Sequence, residues 1–119
     1  IDRGIGVMRT VLDAEGLSFP KSVRGAFVSL LVRRGQLRWR GLKFVERPGD
    51  AIALEDLSRI DTCWSVTTGI AMVDIVRALD FQTRHLLLAL DAGEPYRVAR
   101  GLAAEAAFLA AYERGQRMI

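Results

Sequence analysis

The sequence predicts an all-α fold of stacked helical hairpins. Three observations lead there. Half of the residues are hydrophobic but only 8% are aromatic, with alanine and leucine dominant. That balance suits packed helices better than a sandwich of short strands, which would show turn signals at regular spacing. Apolar residues recur at helical spacing through most of the chain, the mark of one buried helix face. Residues that open or stop helices, Gly16, Pro20, Pro48-Gly49, Gly93 and Pro95, stand between these segments. A chain of 119 residues predicts one domain.

The elements follow in order. Ile5 to Glu15 reads as a helix with Val7, Met8, Val11 and Leu12 on one face and Gly16 as its stop. Phe19-Pro20 opens the next, because Pro suits a first turn. From Lys21 to about Leu42 the apolar positions are Val23, Phe27, Leu30, Leu31, Leu37 and Leu42, weakened by Gly35 and Gly41. Pro48-Gly49-Asp50 is a turn signal, since Pro presets φ and Gly accepts positive φ. Leu54 to Val73 forms a helix with two stripes, Leu57, Ile60, Trp64 and Ala71, then Cys63, Val66, Ile70 and Val73. Two stripes imply packing on two sides. Asp74 and Asp80 both read as N-caps, enclosing one short turn from Ile75 to Leu79 before a helix from Phe81 to Leu90. Pro95 starts the last helix, with Val98, Ala99, Leu102, Ala103, Ala106, Ala107 and Ala110 expected on its packing side. The short Asp91-Ala92-Gly93-Glu94 connection makes the last two helices an antiparallel hairpin. This succession predicts an α-solenoid fragment of tetratricopeptide-like build, whose uncapped end helices would be marginal. Residues 1–47 form a basic N-terminal helical hairpin, 48–53 a linker, and 54–119 the C-terminal hairpins of one continuous helical domain.

Composition narrows the function classes. The sequence has no Asn and so no N-glycosylation acceptor. A single Cys, Cys63, excludes an internal disulfide and a multi-cysteine zinc site. With His85 the only His, a protein-only zinc site would need two carboxylates as well. A reducing cytoplasm is the expected compartment. The longest uncharged run, Thr62 to Val73, falls far short of the roughly 20 residues that span a bilayer. The chain starts at Ile1 without an initiator Met and stops at Met118-Ile119 without a cap, so a piece of a longer chain is expected. Residues 1–47 carry ten Lys/Arg against four Asp/Glu, whereas residues 48–119 carry seven against ten. Such asymmetry marks either an anionic partner or two halves that complement each other.

No catalytic constellation stands out. Asp80-Phe81-Gln82 invites comparison with the magnesium-binding Asp-Phe-Gly of kinases, but the Gly is missing and Phe81 falls on an apolar face. Gly4-Ile5-Gly6 lacks a third Gly at Arg9, and no P-loop or His-Arg-Asp is present. His85 lacks partners in its pattern, and Cys63 in an apolar helix reads as a small core hydrophobe. No catalytic, cofactor-binding or metal-ligating residue is therefore assigned. Arg33, Arg34, Arg38, Arg40, Lys43 and Arg47 interleave with Leu37, Trp39, Leu42 and Phe44 and are the candidate partner-binding residues. Arg with aromatics holds phosphates and stacks on bases, and a basic amphipathic helix lies on anionic membranes. The plainer reading, a solvated face whose charges meet the acidic second half, leads, and nucleic acid is not the expected partner. Asp61 and Asp74 sit in apolar surroundings near Arg59, Arg77, Arg84 and Arg97. A half-buried carboxylate needs pairing, so these groups, with Trp64 and Asp80, are the expected structural network between hairpins.

Three stretches carry a resemblance: Leu37-Arg38-Trp39-Arg40-Gly41-Leu42-Lys43-Phe44, Arg59-Ile60-Asp61-Thr62-Cys63-Trp64-Ser65, and Phe81-Gln82-Thr83-Arg84-His85-Leu86-Leu87-Leu88-Ala89-Leu90 continuing through Ala92-Gly93-Glu94-Pro95. Across roughly residues 20 to 110 the chain resembles the helical region that follows the ATPase module in large multidomain bacterial serine/threonine protein kinases. The Pro48-Gly49 turn is less typical of that pattern. The resemblance implies a parent chain that phosphorylates Ser/Thr with ATP and magnesium, neither bound by this segment. It implies a non-catalytic regulatory scaffold whose partners are the upstream kinase and ATPase domains, the downstream helical repeats and an unidentified protein. The alternative is a free-standing helical module that binds a protein, membrane or nucleic acid through Arg33 to Arg47.

Overall fold

A computed structural model describes residues 10, 12–14, 16, 17, 20 and 22–118, with side chains through 115. Every regular element among them is helical: α1 (Val23–Arg40), a short 3-10 turn (Gly49–Ala51), α2 (Leu54–Ile70), α3 (Ile75–Ala92) and α4 (Pro95–Met118). Of the expected first helix, Thr10 and Leu12–Ala14 are helical and the other positions lie outside the described residues.

Local chemistry sets the helix ends. The Ser22 hydroxyl accepts the Gly25 N–H at 3.0 Å and opens α1. Gly41, at φ 77°, closes α1 by donating its N–H to Leu37 O. Asp74 caps α3 by accepting the Arg77 N–H at 3.1 Å, and its carboxylate also pairs with the Arg77 guanidinium. Gly93 ends α3 in the left-handed conformation at φ 76°, a state that glycine adopts without a Cβ penalty. The Gly93 carbonyl in turn accepts the Arg47 N–H at 2.8 Å, which ties the long α1–α2 connection to the α3–α4 corner. Glu94 caps α4 by accepting the Tyr96 and Arg97 N–H groups.

α3 is the hub, packing against α1, α2 and α4. Gln82 meets Gly101 and His85 meets Arg100, a pairing that runs α3 and α4 antiparallel. One apolar cluster joins Leu37, Ile52, Ile60, Leu86, Leu90 and Val98. The other joins Leu12, Cys63, Val66, Ile70, Ala78 and Phe81.

Several sequence expectations change. Asp80 is not an N-cap: α3 runs unbroken from Ile75, and Asp80 lies inside it facing Ser29 and Arg84. α2 ends at Ile70, and Val73 is exposed. On α1 the buried stripe is Ala26, Leu30 and Leu37, while Val23, Phe27 and Leu31 face outward, and Leu42, beyond its end, is exposed too. That helix carries apolar residues on two sides, and only one side meets α3. On α4 the packed side is Val98, Gly101, Leu102, Glu105 and Phe108, leaving Ala99, Ala103, Ala106, Ala107 and Ala110 exposed. Gly101 sets that register, because a Cβ there would lie 3.0 Å from Leu86 Cδ1 and 3.3 Å from the His85 ring.

Candidate functional site

Polar residues normally lie on the solvent side of a helix, yet Asp80, Gln82, Thr83, Arg84 and His85 are all buried on α3. The helices around α3 explain this, because Asp80, Thr83 and Arg84 find partners on α1, and Gln82 and His85 find them on α4. Toward α1, the Ser29 hydroxyl donates to Asp80 Oδ1 at 2.8 Å and accepts from Arg84 Nη2 at 2.8 Å. Arg84 also pairs with Asp80 Oδ2 at 3.1 Å and lies over the Phe81 ring at 4.7 Å. Burial pushes the Asp80 carboxyl up, against the pull of Arg84 and the Ser29 hydrogen bond. Burial likewise pulls the Arg84 guanidinium down, with Asp80 opposing and Arg33 adding to the shift.

Toward α2 and α4, Arg97 grips Asp61 with two bonds of 2.9 and 2.7 Å and reaches Glu94 Oε1 at 2.6 Å. Arg100 Nη2 donates to Asp61 Oδ1 at 2.8 Å. Burial raises the Asp61 carboxyl, but the bonds and charges of Arg97 and Arg100 together outweigh it and hold the group below the ordinary carboxylate value. Arg100 also lies over the Trp64 ring at 4.9 Å and donates through Nε to His85 Nε2 at 3.2 Å. The proton of neutral His85 therefore sits on Nδ1, which is buried without a hydrogen-bond partner among the described residues. The His85 ring has no solvent exposure and lies 5.4 Å from the Trp64 ring. Burial first, then the charge of Arg100, pulls its pKa down to about 4.

The structure thus joins Asp61 and Trp64 in one cluster and Asp80 and Arg84 in another, while Asp74 serves the start of α3. Arg97, expected near Asp61, is its bidentate partner, whereas Arg59 lies 4.0 Å from Asp56. Arg100 was not singled out by the sequence. Its one signal is its three-residue spacing from Arg97, which puts both on one side of a helix.

The candidate basic residues do not share one environment. Arg34 bridges to Glu105 on α4 at 2.7 Å and reaches Thr83 Oγ1 at 3.4 Å. Arg40 bonds Asp91 at 2.6 Å and the carbonyls of Gly41 and Lys43. Arg47 donates to Ala51 O. Arg33 reaches Gln36 Oε1 at 3.3 Å, and Arg38 and Lys43 are exposed. Beside them the outer face of α1 is apolar: Trp39 is 95% exposed, Leu31 69% and Val28 61%.

Among the described residues, no three His, Cys, Asp or Glu side chains cluster as metal ligands, and no helix is long and apolar enough to cross a membrane. Comparisons with protein families, with curated proteins and with solved structures return no match.

Proposed function

We propose that this chain is a non-catalytic helical scaffold, stacked in α-solenoid fashion between other modules of a multidomain serine/threonine protein kinase. One observation carries the scaffold reading: α1 is apolar on both sides, and its outer row of Phe27, Val28, Leu31, Val32 and Trp39 meets no described residue that covers it. Exposed apolar patches of this kind mark interaction surfaces, and the arginines of α1 between the two apolar sides do not cover this row. The charges between helices support the same reading, since Asp61, Asp80, Arg84, Arg97 and Arg100 bond one helix to another. The kinase parent rests on the sequence resemblance. ATP and magnesium would act in that parent, and no residue here is assigned to either. The scaffold would act mechanically, by favouring one of two arrangements of its neighbours, which requires different affinities for the two.

Sequencing the reading frame on both sides tests the proposal. An upstream kinase catalytic loop followed by a P-loop supports it, and in that longer chain Trp39 should lose its accessibility to acrylamide. A start codon directly before Ile1 with a stop directly after Ile119 refutes it.

A second reading, a free-standing module binding through Arg33 to Arg47, has its own support. No Asp or Glu occurs from Ser22 to Val45, and exposed Arg38 and Lys43 flank exposed Trp39. Binding to anionic vesicles or an oligonucleotide that weakens steeply with salt would favour it.

A further inference from the structure

A cavity of about 440 Å3 opens where α1 crosses α3, and its lining is divided in two. One wall is apolar, made by Leu17, Leu87 and Leu88; the other presents the guanidinium-bearing side chains of Arg33, Arg40 and Arg84, with Gln36 and Asp91 beside them. Two of these three cations have a carboxylate. Arg84 pairs with Asp80 at 3.1 Å and Arg40 with Asp91 at 2.6 Å. Arg33 makes no direct ion pair among the described residues, although its charge acts on Asp80 from a distance; its Nη1 makes one long bond of 3.3 Å to the Gln36 amide oxygen. Its Nε is buried and has no hydrogen-bond partner among the described residues. Arg33 is thus the least compensated cation on the cavity wall, and a partly buried charge without full pairing is costly.

We propose that this cavity binds a small amphiphilic anion, with a carboxylate or phosphate head on Arg33 and a short apolar tail against Leu17, Leu87 and Leu88. Guanidinium groups recognise both head types through paired N–H donors, and a mostly apolar wall with a few convergent polar groups is the usual build of a small-molecule site. The like charge of Arg33 already adds to the downward pull on the Arg84 guanidinium, so a bound anion relieves that repulsion too. This inference rests on the cavity alone and stands apart from the kinase reading.

The test titrates the 119-residue chain with octanoate, octyl phosphate and octanol, each below its aggregation concentration, by calorimetry and thermal shift. The expected result is saturable one-to-one binding of at least one anion and none of octanol. Arg33→Gln should weaken anion binding about tenfold or more, the scale of one charge-assisted hydrogen bond. Gln36→Glu is the second variant. It places a carboxylate within reach of Arg33, so it should weaken binding at least as much while leaving the melting temperature unchanged or higher. No saturable binding of either anion overturns the proposal, as does octanol binding as tightly as the anions. Unchanged affinity in Arg33→Gln overturns it as well; if that variant fails to fold, unchanged affinity in Gln36→Glu does the same.

Discussion

Replacing Asp80 by Ala should be the most damaging single change in the interior. The Asp80 carboxylate has no solvent exposure, accepts from Ser29 at 2.8 Å and stands 3.1 Å from the Arg84 guanidinium, itself only 6% exposed. Removing it strips a buried cation of its counter-charge and a half-buried hydroxyl of its acceptor. Breaking a buried pair from one side costs about 3–5 kcal/mol, against a total stability of roughly 5–15 kcal/mol for an ordinary domain. At this length the loss corresponds to a drop in melting temperature on the order of 10–20 °C. Urea and thermal unfolding followed by far-UV circular dichroism would read it. Asp80→Asn keeps an acceptor for Ser29 and loses the charge, so it should fall between Ala and wild type. Asp80→Leu with Arg84→Met, which removes both charges and fills the space, should recover most of the loss. An Asp80→Ala chain within about 1 kcal/mol of wild type would refute the reasoning, since that is the range of an exposed ion pair.

Three further outcomes are expected. Asp61→Asn weakens the fork from Arg97 and the bond from Arg100 at a side chain that is 43% exposed; it should lower stability by about 1 kcal/mol, and an unchanged melting temperature would show that the fork does not hold α2 to α4. Gly93→Ala places a Cβ 1.9 Å from Val45 O at φ 76°, so displacement of the Val45–Arg47 strap should cost more than the roughly 1–2 kcal/mol of the left-handed backbone alone, whereas Gly35→Ala, with nothing within 4 Å, should stabilise α1 by up to about 1 kcal/mol. Unfolded His titrates near 6.5 and folded His85 at about 4, so the unfolded chain alone binds that proton in between; stability is full above pH 6.5 and falls by about 3 kcal/mol as pH drops to 4. The difference between wild type and His85→Gln isolates this slope from the opposing titration of Asp80, and a flat difference over that window would contradict the buried neutral imidazole.

The helix ends were legible because they are local. Ser22 was missed, but Asp74, Gly93 and Pro95 announce themselves by residue type, and the structure uses them as read. Asp80 misled for the same reason: an Asp before an apolar run is the pattern of an N-cap. Its actual partner, Ser29, is 51 residues away in sequence, and nothing local reports that contact. The outward face of α1 could not be foreseen either. Its sequence places apolar residues on two sides, and only the packing of Ala26, Leu30 and Leu37 against α3 decides which is inside. The alanines of α4 invited close packing, but Gly101, smaller still, took that position.

The buried polar girdle of α3 also bears on uniqueness. Leucines and alanines pack without direction, so α3 could slide against its neighbours by a turn at little loss of apolar contact. Its polar side chains make that costly. Asp80 and Arg84 need Ser29, Gln82 needs the Gly101 carbonyl, and His85 needs Arg100, on two different helices at once. A slip leaves several of these groups buried and unpaired together, at about 1–3 kcal/mol each or more where charged. The expected consequence separates stability from specificity. The Asp80→Leu, Arg84→Met chain should regain most of its unfolding free energy yet show broadened or doubled amide resonances along α1 and α3. A double variant with one sharp set of resonances would show that apolar packing alone fixes the register.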